Sequence, residues 1–212
     1  MNYNERKQYA EKLIREDKYP DALVEYSVLF KENPEDPENM ERFLFLFKRI
    51  QDGNYDFEPE TSEQFIMRGI AKFYNQELNG SVEDYGKALS LDSNNHYALK
   101  SRAFSFKFLG KMEEAISDLK RAVEIKQTGE YYDDLSEVYQ LIGDYKSAFT
   151  YHEKAIQISP DNPRLWYNYG VDLMNTNDLK GALEKYDKAI ELWPKYEDAI
   201  VNKQYVLKLL KN

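Results

Sequence analysis

Two histidines, His96 and His152, are the side chains best suited to proton transfer or metal ligation near neutral pH in this chain of 212 residues. His152-Glu153 opens a His-Glu-x-x-His pattern, which would set two zinc ligands one helical turn apart. The fifth residue is Ile156, so no metal pair forms. His152 therefore reads as a packing residue. His96, which follows Asn94-Asn95 at a helix start, reads as a capping or solvated one. There is no glycine-rich phosphate loop and no Ser/His/Asp grouping, so the chain reads as non-enzymatic, with no cofactor. The absence of cysteine excludes disulfides, thiol chemistry and cysteine-ligated zinc. What remains is acidic. Glu130, Asp133, Asp134 and Glu137 fall at i, i+3, i+4 and i+7, so one helix face would carry four carboxylates. Neighbours about 6 Å apart would repel by roughly 0.7 kcal/mol per pair in a water-like dielectric. Two readings stand. The acids form a solvated face whose first members favour the helix N-terminus, or they form a stripe that a cation or basic partner neutralises.

The element that carries this stripe is one of several that repeat. In Pro163–Tyr196, Trp166, Tyr169, Gly170 and Leu173 share one helical face, and Ala182, Leu183, Tyr186, Ala189 and Ile190 share another. Asn177-Asp178 lies between them and caps the second helix, while Pro163 stands in the first turn, where its missing N–H costs nothing. Gly170 and Ala182 let the two helices approach closely, with Trp166 and Tyr186 filling the space beside them. Moving back by 34 residues repeats the pattern at Tyr132, Leu135, Tyr139, Ala148, Ala155 and Pro160, with Gly143-Asp144 at the turn. A further 33 gives Leu99, Ala103, Phe106, Gly110, Ala115, Leu119 and Ala122, and a further 34 gives Phe65, Gly69, Phe73, Tyr85 and Ala88. Thr61-Ser62-Glu63-Gln64 predicts a capping box at the start of that unit.

Trp166, Gly170, Ala182, Tyr186, Ala189 and Pro194 stand in the signature places of the tetratricopeptide repeat, and the unit resembles that family; Tyr169 and Leu173 depart mildly, each keeping an apolar group. The resemblance covers nearly the whole chain. It implies an all-α, right-handed α-solenoid of antiparallel helix hairpins, about twelve helices in all, with the first helices lining a concave groove. On that geometry the candidate ligand-binding residues are Tyr97, Lys100, Phe104, Phe108, Glu130, Asp133, Asp134, Glu137, Tyr167 and Asn168. Ile66, Met67, Ile70 and Tyr74 would form an apolar wall earlier in the same groove. Some members hold the acidic C-terminal tail of a chaperone through a clamp of two lysines, two asparagines and an arginine. Here only Lys100 agrees with it in identity and place, and Asp134 has the wrong charge, so that function is not carried over.

The expected organisation is a single domain over 1–212, with full units at about 3–36, 62–95, 96–128, 129–162 and 163–196. Between the first two, an unpaired helix at about 37–51 carries Phe43-Leu44-Phe45-Leu46-Phe47, starts at Asp36-Pro37 and stops at Asp52-Gly53. It is expected to be sandwiched between the first hairpin and the unit from Ser62, with a loop over 54–60 following it. A last helix at 197–210 is read as a polar-backed cap. The net charge of −9 argues against nucleic acid, and no apolar run spans a membrane or forms a leader at the N-terminus, so a cytoplasmic location is expected. The function expected is a non-enzymatic scaffold whose groove binds a protein or peptide segment combining basic and apolar residues. The alternatives are a self-assembling homo-oligomer and a chaperone for a secreted bacterial partner.

Overall fold

The computed structural model describes residues 1–32, 38, 39, 42, 45, 46, 48, 49 and 59–211, and every regular element among them is a helix. The chain divides into two compact units, Met1–Gly110 and Lys111–Asn212. The first contains α1 (Tyr3–Arg15), α2 (Tyr19–Glu32), α3 (Ser62–Tyr74), α4 (Leu78–Leu91) and α5 (His96–Phe108). The second contains α6 (Met112–Ile125), α7 (Gly129–Leu141), α8 (Tyr145–Ile158), α9 (Pro163–Asn175), α10 (Leu179–Leu192) and α11 (Glu197–Leu209). Within the first unit α1 packs on α2 and α3 on α4, with α5 against α4; within the second α7 packs on α8 and α9 on α10, with α6 against α7 and α11 against α10. This is the fold class that the repeat predicts.

The repeat is written into the backbone as well as the side chains. Asp17, Gln76, Gly110, Gly143 and Asn177 are the described residues with left-handed φ, from +56° to +80°, and each lies at the turn between paired helices of an expected unit. At four of these turns the third residue past the helix donates back five positions: Lys18 N to Leu13 O, Glu77 N to Lys72 O, Asp144 N to Tyr139 O and Asp178 N to Leu173 O, all at 2.8–2.9 Å. This closes the orphan carbonyls of the first helix and reverses the chain in three residues. Glycine and asparagine tolerate the left-handed region, whereas glutamine does so at a cost. Gln76→Gly is therefore expected to raise stability by about 1 kcal/mol, read as a higher urea midpoint at unchanged slope; an unchanged midpoint would show that the turn carries no strain at Gln76.

Helix starts follow the predicted chemistry. Thr61 and Gln64 form the capping box before α3, Asp178 accepts from the Gly181 N–H before α10, and Pro163 occupies the first turn of α9. Close approach follows too. A Cβ on Gly69 or Gly170 would lie 2.7 Å from a ring carbon of Tyr85 or Tyr186 respectively, so only glycine admits these buried rings. Helical residues between 38 and 49 join the first core: Leu46 is buried in one cluster with Leu13 of α1, Leu23, Tyr26 and Leu29 of α2 and Ala71 of α3. Asn39 also donates to the Tyr3 hydroxyl at 2.7 Å and to the Leu29 carbonyl at 3.3 Å. The sandwiched position expected for this segment thus holds for Leu46. The expected start at Asp36-Pro37 and stop at Asp52-Gly53, together with Phe43, Leu44, Phe47 and most of the 54–60 loop, lie outside the described residues.

The terminal helix corrects the sequence reading. It was expected to be polar-backed, yet Val201, Tyr205, Leu207, Leu209 and Leu210 are all exposed. Its fully buried residues are Ala199 and Val206, Ile200 is half-buried, and the other large apolar residues of the helix face solvent.

Candidate functional site

The ten candidate residues fall in both compact units. Tyr97, Lys100, Phe104 and Phe108 are on α5 of the first; Glu130, Asp133, Asp134 and Glu137 on α7 and Tyr167 and Asn168 on α9 are in the second.

In the first unit an open cleft of about 270 Å³ is lined by Ile70, Phe73, Tyr74, Tyr85, Tyr97, Lys100, Ser101 and Phe104. The first helices α3 and α5 supply nearly all of it, because the wedge residues of each repeat point between its paired helices and leave the other face of the first helix uncovered. Large apolar groups stand in water here: Tyr74 is 58% exposed, Tyr97 47% and Phe108 62%. Phe108 meets Phe73 edge-on at 5.3 Å. The Lys107 ammonium lies 4.4 Å from the centre of the Phe104 ring and the Lys100 ammonium 5.7 Å, so the cations rest on aromatic faces. A second open cleft of about 250 Å³ in the same unit combines Tyr9, Leu13 and Val24 with Asp21, Glu25 and Glu63. Arg6 donates to Glu25 at 2.7 Å and Gln64 donates to Asp21.

In the second unit the acidic stripe divides. Glu130 and Glu137 are exposed, whereas Asp133 and Asp134 are buried. Neighbouring α9 packs on α7, and Asn168 Nδ2 donates to Asp133 Oδ2 at 2.8 Å. Asp133 Oδ1 stands 3.5 Å from Nδ1 of His152, which is itself buried on α8. His152 Nδ1 lies 3.1 Å from Ser136 Oγ, and Nε2 lies 3.0 Å from Asp172 Oδ2. Gln140 donates to the other oxygen of Asp172, and the imidazole stacks on Tyr169 at 5.1 Å. Burial pushes the histidine toward its neutral form, but the hydrogen bonds and charges of Asp133 and Asp172 outweigh it and raise its pKa. The imidazolium then donates on both sides, toward Ser136 and Asp133 and toward Asp172.

This arrangement corrects two sequence expectations. A Ser/His/Asp grouping does exist, as Ser136, His152 and Asp172. All three are buried, and the Ser136 hydroxyl gives its proton to the Asp133 carbonyl at 2.7 Å, so the group bonds helices together. Moreover, Asp133 and Asp134 do not share the solvated face of Glu130 and Glu137. A signal for the first point was present in the repeat itself. Ser136 stands where Gly69 and Gly170 stand, and His152 where Tyr85 and Tyr186 stand, so a hydrogen-bonded pair replaces a glycine–ring contact. His152 keeps its expected packing role, and His96 is the first residue of α5, after the Asn95 cap.

Tyr167 is half-buried among aromatic rings, 5.9 Å from Tyr186 and 5.1 Å from Tyr196, and its hydroxyl accepts from Asn202 at 3.3 Å. Asn168 is tied to Asp133. These two therefore hold the second unit together, while the solvent-facing candidates there are Glu130 and Glu137. Among the described residues no helix is long and apolar enough to cross a membrane, and no cluster of His, Asp or Glu is arranged to hold a metal ion.

Helix hairpins of one length, joined by one kind of turn and wedged by one kind of small–large pair, define a helical-repeat protein. Profiles described as Tetratricopeptide repeat match residues 101–128, 129–162 and 163–199. Residues 101–199, just under half of the chain, are thus built of tetratricopeptide repeats. Protein STIP1 homolog of Dictyostelium discoideum is 30% identical over 108 residues, covering 50% of this chain and 19% of that protein. Hsp70-Hsp90 organizing protein 2 of Arabidopsis thaliana is 28% identical over 105 residues, covering 45% of this chain and 18% of that one. The chain thus spans about a fifth of the length of these two relatives. The solved structure of TTC0263, a TPR protein from Thermus thermophilus, superposes with a TM-score of 0.60 at 18% identity, covering 97% of this chain and 99% of that one. Identity at that level speaks for the fold alone.

Proposed function

We propose that this protein is a non-enzymatic, cytoplasmic binding module that takes a segment of a partner protein rich in bulky apolar side chains with Lys or Arg nearby. The observation that carries the reading is the aromatic cleft of the first unit, where Tyr74, Tyr97 and Phe108 remain largely in water around a cleft of about 270 Å³. Uncovered apolar surface rimmed by polar groups marks a docking surface. Basic side chains of the partner are drawn to the exposed Glu63 and its acidic neighbour Asp21, at the rim of the second cleft of the same unit. The net charge of −9 favours the same sign of partner. The relatives support protein binding in general, since one is named for organising two chaperones.

The test is a peptide-array screen followed by titration of the tightest peptide at two ionic strengths. Phe104→Ala is expected to weaken binding by about tenfold with an unchanged salt dependence, because the lost contact is apolar. Glu63→Lys is expected to weaken it chiefly at low salt, since exposed charges are screened within about 8–10 Å. Reversing Asp133 and Asp134 would disturb the buried histidine network and is not informative about binding. Acidic peptides as the best binders, or unchanged affinity after both sets of changes, would remove the assignment.

A further inference from the structure

The terminal helix α11 leaves a stripe of large apolar side chains in water: Val201 is 61% exposed and Tyr205 54%, with Leu209 one turn further on. Steps of four residues place these on one face, about a third of a turn round the helix from the buried Ala199 and Val206. The same exposed face carries an acid near its start, Asp198, and a base near its end, Lys208, both in solvent.

We propose that this face pairs with the same face of a second copy of the chain, α11 running antiparallel to its mate across a two-fold axis. The occupant is set by charge and register. If the axis passes level with residue 203, Val201 of each copy stands opposite Tyr205 of the other. Asp198 then stands opposite Lys208. The interval from Asp198 to Lys208 is about 15 Å along each helix, so the two ends match at once. Symmetry makes every such contact twice. A parallel pairing would instead set Asp198 on Asp198 and Lys208 on Lys208, so the charges select the antiparallel arrangement. Lys203, at the level of the axis, is turned aside and paired with Asp187, which keeps its charge out of the seam. One pair of three-turn helices buries less than the roughly 1,200–2,000 Å² of stable interfaces, so the dimer is weak and reversible.

Sedimentation equilibrium of the 212-residue chain, from micromolar to near-millimolar concentration, tests this. The wild type is expected to fit a monomer–dimer equilibrium that weakens with added salt. Asp198→Lys alone, and Lys208→Asp alone, are each expected to weaken association by about tenfold, because two attractions become two repulsions. The double exchange, Asp198→Lys with Lys208→Asp, is expected to return it close to the wild-type value. Circular-dichroism melts of all three variants identify any that fail to fold. A chain that stays monomeric throughout, that grows past the dimer, or whose double exchange associates no better than the single changes, would overturn the proposal.

Discussion

Asp172→Ala is expected to destabilise the Lys111–Asn212 unit by about 3–5 kcal/mol, the usual cost of removing one partner from a buried ion pair. Asp172 Oδ2 lies 3.0 Å from His152 Nε2, while its other oxygen accepts from Gln140. The variant would thus leave an imidazole and an amide on two other helices without their acceptor. Asp172→Asn keeps the shape, loses the charge, and should cost less. The network also gives stability a dependence on pH. The groups facing the imidazole are Asp133 and Ser136 from α7 and Asp172 and Tyr169 from α9. The pKa of His152 is raised in the folded state. Its contribution is therefore complete below the unfolded histidine value of about 6.5, and is lost as pH rises through the higher folded value. Urea unfolding should show a wild type more stable at about pH 6 than at about pH 9, and this difference should shrink in Asp172→Asn. An unchanged difference in that variant would show that Asp172 does not hold the proton on His152.

Tyr186→Ala is expected to cost about 3–5 kcal/mol, the range for deleting a buried aromatic ring. The ring is wholly buried in one cluster with Tyr169, Leu173, Ala182 and Val206, and the glycine facing it cannot fill the space left behind. Changing the facing residue tests the same contact from the other side. Gly170→Leu would drive a side chain into that ring, at about 1–3 kcal/mol. Lys180→Leu, at an exposed position of the next helix, should cost under about 0.5 kcal/mol. Equal thermal midpoints for Gly170→Leu and Lys180→Leu would contradict the close-packing account.

Those glycine–tyrosine pairs were legible in the sequence because a hairpin's internal contacts recur every 33 or 34 residues, and recurrence needs no coordinates to be seen. The cap at Asp178 and the capping box at Thr61 were legible because each is local chemistry. The burial of Asp133 was not. Spacing along α7 shows that Asp133 shares a helix face with Glu130 and Glu137, but not how far α9 leans over that face to bring Asn168 within 2.8 Å. Ser136 and His152 could have been paired by comparison with Gly170 and Tyr186. Asp172, which completes the group, belongs to the following hairpin, where its counterparts one and two repeats back are Val138 and Ser105. The exposed stripe of α11 was hidden in another way. Its apolar residues fit the places of a next first helix, and only the structure shows that the fully buried residues of this helix are Ala199 and Val206.

The aromatic cleft is the centre of the functional account, and backbone NMR shift mapping tests it most directly. The tightest basic-apolar peptide from the array would be titrated into the isotope-labelled chain. The account predicts the largest shifts at Ile70–Tyr74 of α3 and Tyr97–Phe108 of α5, smaller salt-sensitive shifts near Glu63, and loss of the first group of shifts in Phe104→Ala. Shifts that leave α3 and α5 unmoved and gather on the second helices α4 and α8 would contradict it.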